Sequence, residues 1–226
     1  MSGHETEQRI AGSAQLIKGS FTKYLAVSVL MVLSVTLGMF IDNVIAGNFL
    51  GADAVATIGI STPVFMLFAG AAGILSTGGS ALAARALGRR DHKSVNALFT
   101  LVLLSACAVG LVLAVLLVLF SPQVAAMLGA SEGLLAQNTA AYLSGLGFTA
   151  LTSAVLQVML SFTRVDNAPV IGLVSIVVMG ISAACFDLIA ILVFNAGMFG
   201  MGLATTAAYG LAFLVSTTHF FKKKNT

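Results

Sequence analysis

Long apolar runs alternate with short polar or turn-forming breaks along the chain. Six runs can be separated, at residues 22–47, 54–84, 95–120, 136–162, 168–194 and 199–221. About 20 helical residues cross the hydrocarbon core of a bilayer at a rise of about 1.5 Å per residue, so each run is long enough to span it. Because backbone groups in lipid must be hydrogen-bonded within their own segment, the pattern predicts an all-α, polytopic membrane protein with six transmembrane helices.

The composition supports this prediction. Of the 226 residues, 58% are hydrophobic and 8% are charged, with a mean hydropathy of +1.04, whereas soluble domains carry about 25% charged residues. The predicted organisation is a cytoplasmic N-terminal tail over residues 1–20, a six-helix lobe over 21–221 and a basic cytoplasmic end over 222–226. The expected location is the cell (inner or plasma) membrane, with the first run retained because it is too long for a signal peptide.

The basic residues predict how the helices are oriented. Every Lys and Arg lies before or at the start of the first run, between the second and third, between the fourth and fifth, or after the sixth: Arg9, Lys18, Lys23, Arg85, Arg89, Arg90, Lys93, Arg164, Lys222, Lys223 and Lys224. The alternate breaks carry only the acidic residues Asp53 and Glu132. Loops rich in Lys and Arg stay in the cytoplasm, so both termini are predicted to be cytoplasmic.

Two acidic residues lie inside the apolar runs, Asp42 in the first and Asp187 in the fifth. A carboxylate at the centre of a membrane helix costs roughly 2.5–3.5 kcal/mol on insertion scales, which indicates a functional role. Asp42 follows Lys23 by 19 residues and Asp187 follows Pro169 by 18, so both acids are predicted at similar depth in the outer half of the membrane. The alternative is that each acid reaches the outer interface or caps a neighbouring helix.

Apart from Lys23 at the inner end of the first run, no Lys or Arg lies inside the apolar runs to neutralise these acids. They must therefore be protonated, hydrated or paired with a bound cation, and a pair of acids suits the binding and release of a proton or a small cation. Asn43 and Gln157 could line a cavity beside them, with hydrogen bonding between helices as the alternative. Thr205 and Thr206 could simply bond to their own helix.

The sequence indicates no enzyme. The three His residues have no metal-ligand spacing, and no nucleophile lies near a base in a recognisable motif. The only metal we consider is sodium at Asp42 and Asp187, and no cofactor is expected beyond a proton or sodium as the coupling ion. The basic residues are accounted for by topology, so no nucleic-acid partner is expected.

Three segments resemble the multidrug and toxic compound extrusion (MATE) transporters. Residues 42–54 (DNVIAGNFLGADA) are similar to the end of the first helix of that family, and residues 78–88 (GGSALAARALG) to the inner end of its second helix and the loop that follows. Residues 197–205 (GMFGMGLAT), ten residues after Asp187, are similar to its passage from helix five to helix six. The resemblance begins at Phe21 and covers only the first half of a family member.

The resemblance implies one lobe of a two-lobe antiporter that exports cationic, amphipathic compounds against inward proton or sodium flow. It implies that Asp42 and Asp187 form the cation site of the N-terminal lobe, with Thr205 nearby. The family usually has an asparagine one turn before the second acid, where this chain has Ala183. An amide there would supply an oxygen ligand, so its loss shifts the expectation towards protons.

A chain of this length needs a second six-helix lobe as its partner under this interpretation, together with the lipid bilayer. We expect the chain to be a fragment, a split half or a half-size protein that must pair. Two alternatives stay open. One is a flippase for lipid-linked saccharides from the same superfamily, which would be expected to place more basic residues in its cavity. The other is a truncated membrane protein that transports nothing.

Overall fold

The computed structural model describes the backbone of residues 3–221 and the side chains of residues 19, 21, 22 and 24–218. The basic end predicted at 222–226 lies outside this part of the chain, as do the side chains of nearly all of the predicted tail. Eight helices follow one another in the described backbone: α1 (Gly3–Phe49), α2 (Ala52–Gly88), α3 (His92–Leu119), α4 (Ser121–Met127), α5 (Gly133–Gly147), α6 (Thr149–Val165), α7 (Pro169–Leu192) and α8 (Gly197–Phe221).

The predicted all-α membrane fold is confirmed. Helices α1, α2, α3, α7 and α8 are each long and apolar enough to cross a membrane over the residues described. Helices α5 and α6 meet at an angle of 44° and pass the same test together, so the count over the described residues is six when this bent pair is taken as one span. The helical backbone of α1 begins at Gly3, well before the first apolar run, and the cytoplasmic placement of the termini stays a prediction.

Local residue chemistry explains where the helices begin and end. Gly51 between α1 and α2 has a φ of 89°, which a residue with a side chain rarely adopts. Before α3, the carboxylate of Asp91 accepts hydrogen bonds from the Ser94 amide at 3.1 Å and the Ser94 hydroxyl at 2.6 Å. These bonds hold the pKa of Asp91 below its usual value and cap the helix. Pro169 opens α7, where a missing amide hydrogen costs nothing.

The fourth span is broken at Phe148, between α5 and α6. The apolar run over 136–162 predicted one span, which the structure divides into α5 and α6, whereas α2 is a single helix that contains Pro63. At the break, the Thr206 hydroxyl of α8 lies 3.3 Å from the Gly145 carbonyl and 2.7 Å from the Thr149 hydroxyl. A hydroxyl from a neighbouring helix thus partners a backbone group at the bend, as membrane helices require.

Close contact between α5 and α8 fixes the centre of the lobe. A Cβ atom on Gly145 would come 2.5 Å from the Phe199 carbonyl oxygen, and one on Gly202 would come 2.6 Å from the Tyr142 carbonyl oxygen. The two backbones therefore touch, which small residues permit in membrane proteins. Leu143 and Leu146 of α5 are fully buried beside this contact.

Helix α1 packs mainly against α7 and only lightly against α2. The two helices meet at Gly38 and Gly180, where a Cβ atom on Gly38 would lie 3.8 Å from the Gly180 Cα atom. Near the other end of α7, the Tyr24 hydroxyl donates to the Asn167 side-chain oxygen at 3.0 Å. The α1–α7 pair forms one side of a cavity whose opposite side is the α5–α8 pair, with α2 beside it.

Candidate functional site

Five helices surround a cavity of about 130 Å³ inside the lobe. Helices α1 and α7 contribute one wall, α5 and α8 another, and α2 contributes Ile58, Thr62 and Phe65. Most of the lining residues are apolar or carry a hydroxyl group, the latter being serine, threonine or tyrosine. The lining contains a single charged residue, Asp42, and none of its described side chains is basic.

The structure brings Asp42 and Asp187 together. Asp42 lies one turn beyond Gly38 on α1, and Asp187 lies two turns beyond Gly180 on α7. Because the two helices touch at these glycines, the two acids are brought close to each other. Their carboxyl groups are close enough to interact with each other. Asp187 is only 2% exposed, behind the wall that Asp42 lines. In the described structure, Oδ1 of each acid is buried and has no hydrogen-bond partner.

The other residues singled out from the sequence take different positions. Asn43 and Thr205 line the cavity, whereas Gln157 on α6 is not among its lining residues. The Asn43 side-chain amide donates to the Met39 carbonyl at 2.8 Å, and the Thr205 hydroxyl donates to the Met201 carbonyl at 3.1 Å. Ala183 lines the cavity one turn before Asp187, so a methyl group occupies the place where an amide would reach.

Two tyrosines of the cavity were missed from the sequence. Tyr142 of α5 and Tyr209 of α8 both line it, and both are close enough to Asp42 to interact with its charge. Tyr142 is also within hydrogen-bonding reach of Thr205. The signal was available, because a phenolic hydroxyl inside an apolar run needs a polar partner. The candidates chosen from the sequence carried only carboxyl, amide or threonine hydroxyl groups, and neither tyrosine was among them.

This arrangement can hold one positive charge. Two neighbouring ionised carboxylates repel each other, and burial removes the water that would solvate them. The pair therefore favours states that carry a proton or a small bound cation. Oxygen atoms of both acids and the hydroxyls of Tyr142 and Thr205 are the ligands available at this place. Across the described residues, no group of three or more His, Cys, Asp or Glu side chains is suited to a metal ion.

Comparison with known proteins agrees with this picture. The MatE family model matches residues 28–193. The multidrug export protein MepA of Staphylococcus saprophyticus is 24% identical over 194 residues, which are 85% of this chain and 42% of that protein. MepA of Staphylococcus aureus (strain RF122) is 25% identical over 171 residues, or 76% of this chain and 38% of that protein. The chain thus spans less than half the length of these relatives.

Solved structures share the fold. The MATE transporter VcmN of Vibrio cholerae in its bent form superposes with a TM-score of 0.82 at 23% identity, over 92% of this chain and 47% of VcmN. A MOP superfamily transporter from Pyrococcus furiosus gives the same TM-score at 19% identity, over 92% of this chain and 45% of that one. In both cases the six-span lobe corresponds to about half of the other protein.

Proposed function

The chain belongs to the MatE family, and from that premise we propose that it is the N-terminal lobe of a secondary active efflux antiporter driven by protons. Proteins of this family are transporters and not enzymes, and the chain is a multi-pass membrane protein. The proposed cargo is a small cationic, amphipathic compound. The observation that carries the proposal is the pair of neighbouring acids, Asp42 and Asp187, each with an unpartnered buried oxygen.

The coupling step follows from the charge of this pair. When both acids lose their protons the repulsion between α1 and α7 rises, and when a proton or cation binds it falls. Such a change can drive transport only if the ion binds two states of the lobe with different affinity. Asp42 lies on α1, which packs mainly against α7, and Asp187 lies on α7 itself. Ion binding between the two acids would therefore favour the state in which α1 and α7 are close.

The choice of protons over sodium rests on the ligand count. A hard cation such as sodium is held by several oxygen atoms, and here Ala183 offers a methyl group instead of an amide oxygen. A proton needs only the two carboxyl groups. The sequence left both ions open, and the lack of an amide oxygen at position 183 favours the proton.

The size of the cavity supports a partner lobe. Sites for drug-sized molecules measure about 300–1,000 Å³, whereas this cavity has a volume of about 130 Å³. It accommodates an ion and water but not a drug. The proposed substrate site therefore requires a further wall, which we assign to a second six-helix lobe in the same full-length protein or in a partner chain. Met39, Phe65 and Met179 would give that site adaptable apolar contacts.

The test measures drug efflux by the full-length or paired protein in everted membrane vesicles. Ethidium uptake would be driven by an imposed pH gradient, with no sodium present. Asp42→Asn and Asp187→Asn should each lower the rate by at least about tenfold, the equivalent of about 1.4 kcal/mol. Asp53→Asn is the matched control, because Asp53 is exposed at the start of α2 and outside the cavity. Unaltered pH-driven efflux by Asp42→Asn would contradict the proposal.

A second variant separates the coupling ion from the transport function. Ala183→Asn returns an amide oxygen to the cavity wall and should make sodium able to drive efflux in the absence of a pH gradient. The unmodified protein should show no such sodium-driven efflux. Sodium-driven efflux of equal size in both proteins would overturn the choice of protons while leaving the antiport proposal in place.

A further inference from the structure

A second, larger concavity lies between α3, α6 and α8, with a volume of about 550 Å³. We call it the α3–α8 groove, and its lining residues are Leu111, Ala114, Val115, Val118, Leu119, Phe148, Leu151, Thr152, Leu203 and Thr206. It shares no lining residue with the cation cavity. On α8 the two sites are adjacent, because Thr205 faces the cavity and Thr206 faces the groove.

The break in the fourth span shapes this groove. Helix α3 touches the bent span on both sides of Phe148: a Cβ atom on Gly147 would come 3.2 Å from the Ala114 carbonyl oxygen, and one on Gly110 would come 2.8 Å from the Leu151 Cα atom. Helix α8 is held to α5 at Gly145 and Gly202. The break therefore leaves a space between α3 and α8, with Phe148 at its edge and 48% exposed.

The surface that lines the groove is almost entirely hydrocarbon. Its two polar lining residues direct their hydroxyls to the protein itself: Thr152 donates to the Thr149 carbonyl at 3.3 Å, and the Thr206 hydroxyl lies 3.2 Å from the Gly202 carbonyl and 3.3 Å from the Gly145 carbonyl. No acidic residue lines the groove, so a cationic drug gains no charge partner there. The occupant that this surface fits is a hydrocarbon without hydrogen-bonding groups.

The groove is elongated along the helix axis. Leu111, Val115 and Leu119 follow one another at every fourth residue of α3, which gives a wall about 12 Å long at about 1.5 Å per residue. Leu119 is the last residue of α3, so the wall begins at a helix end and continues towards the membrane interior. These three side chains are half exposed, and the bilayer surrounds a protein of this kind.

We propose that the α3–α8 groove binds one acyl chain of a bilayer phospholipid, aligned with α3 and seated against the break in the fourth span. The headgroup would lie near the end of α3, and the chain would contact Phe148 and Leu203. The proposal depends on the membrane location and the groove alone, and not on which ion or cargo the protein carries. A lipid seated there would contact the bend directly at Phe148.

The chain contains no tryptophan, so a single introduced tryptophan reports on one place. Phe148→Trp puts the reporter in the groove, and Val112→Trp puts it on the exposed surface of the same region, since Val112 is 57% exposed and does not line the groove. Phosphatidylcholine with brominated acyl chains, which quenches tryptophan on contact, is titrated into the full chain in detergent. Half-quenching of Phe148→Trp is expected at a lipid fraction at least about fivefold lower than that of Val112→Trp.

A blocking pair tests the same assignment. Val115→Phe, added to Phe148→Trp, fills the groove and should shift half-quenching to the lipid fraction seen with Val112→Trp. Val112→Phe in the same background should leave the tight quenching unchanged. Identical curves for the two reporters would overturn the proposal, whether or not the blocking variant folds. Equal quenching by a brominated alkyl maltoside, or displacement of the lipid by ethidium, would overturn it as well, because the groove would then bind any alkyl chain or the drug.

Discussion

Helices α1 and α8 both line the cavity that contains Asp42, yet different kinds of contact hold them in the lobe. Only 17% of the residues in the apolar part of α1 are buried, compared with 39% in α8. Helix α8 meets α5 with backbone against backbone at Gly202 and Gly145. Helix α1 meets α7 at ordinary van der Waals separation at Gly38 and Gly180.

The difference assigns the two walls different parts in the proposed mechanism. Tyr142 and Thr205 stand on the tightly packed pair, so these hydroxyl groups keep their positions. Asp42 stands on α1, which buries a smaller share of its residues within this lobe than α8 does. Local regions with few buried contacts open at lower free energy than the core. A cavity with one fixed wall and one displaceable wall suits a transporter that must change state when an ion binds.

The largest effect is expected from closing the backbone contact of α5 and α8. Gly202→Ala would place a Cβ atom 2.6 Å from the Tyr142 carbonyl oxygen and should destabilise the fold by at least about 1–3 kcal/mol through overpacking. The measurement is unfolding in mixed micelles titrated with dodecyl sulfate and followed by circular dichroism. Gly210→Ala on the same helix is the control, because a Cβ atom there meets nothing within 4 Å. Equal stability of the two variants would contradict the tight contact.

A smaller effect is expected at the bend. Thr206→Val keeps the shape of the side chain but removes the hydroxyl that lies beside the Gly145 carbonyl and the Thr149 hydroxyl. The loss should be about 1 kcal/mol in the same unfolding titration. Thr217→Val serves as its control, since the Thr217 hydroxyl bonds only within α8, to the Phe213 and Leu214 carbonyls. If both substitutions cost the same, the interhelical bond contributes nothing measurable.

The smallest effect is expected on α1. Gly38→Ala adds a Cβ atom at 3.8 Å from the Gly180 Cα atom, an ordinary contact, so the stability should change by less than about 0.5 kcal/mol. The unfolding titration measured for Gly202→Ala provides the comparison. A loss as large as that of Gly202→Ala would show that α1 is held as firmly as α8 and would remove the distinction between the two walls.

The sequence predicted the parts of this fold that depend on local composition. Six spans follow from apolar runs of sufficient length, and Asp42 and Asp187 stand out as the acids inside them. The bend at Phe148 was missed because no proline marks it. It accompanies a contact between Gly145 and Gly202, residues far apart in the chain that no periodicity relates. Tyr142 does stand out in the sequence as a hydroxyl group inside an apolar run, but its place in the cavity depends on the rotation of α5 about its axis, which that contact sets.

The polar side chains of α1 have a consequence for how the protein is made. Ser34, Thr36, Asn43 and Asn48 each donate to a carbonyl one turn earlier in α1 itself. The helix therefore satisfies these groups before any neighbour exists, and its apolar residues favour early release from the ribosome-bound insertion channel into lipid. Asp42 is the exception, because Asp187 is synthesised 145 residues later. We expect α1 to enter the membrane before α7 and to dock only when α7 arrives beside it.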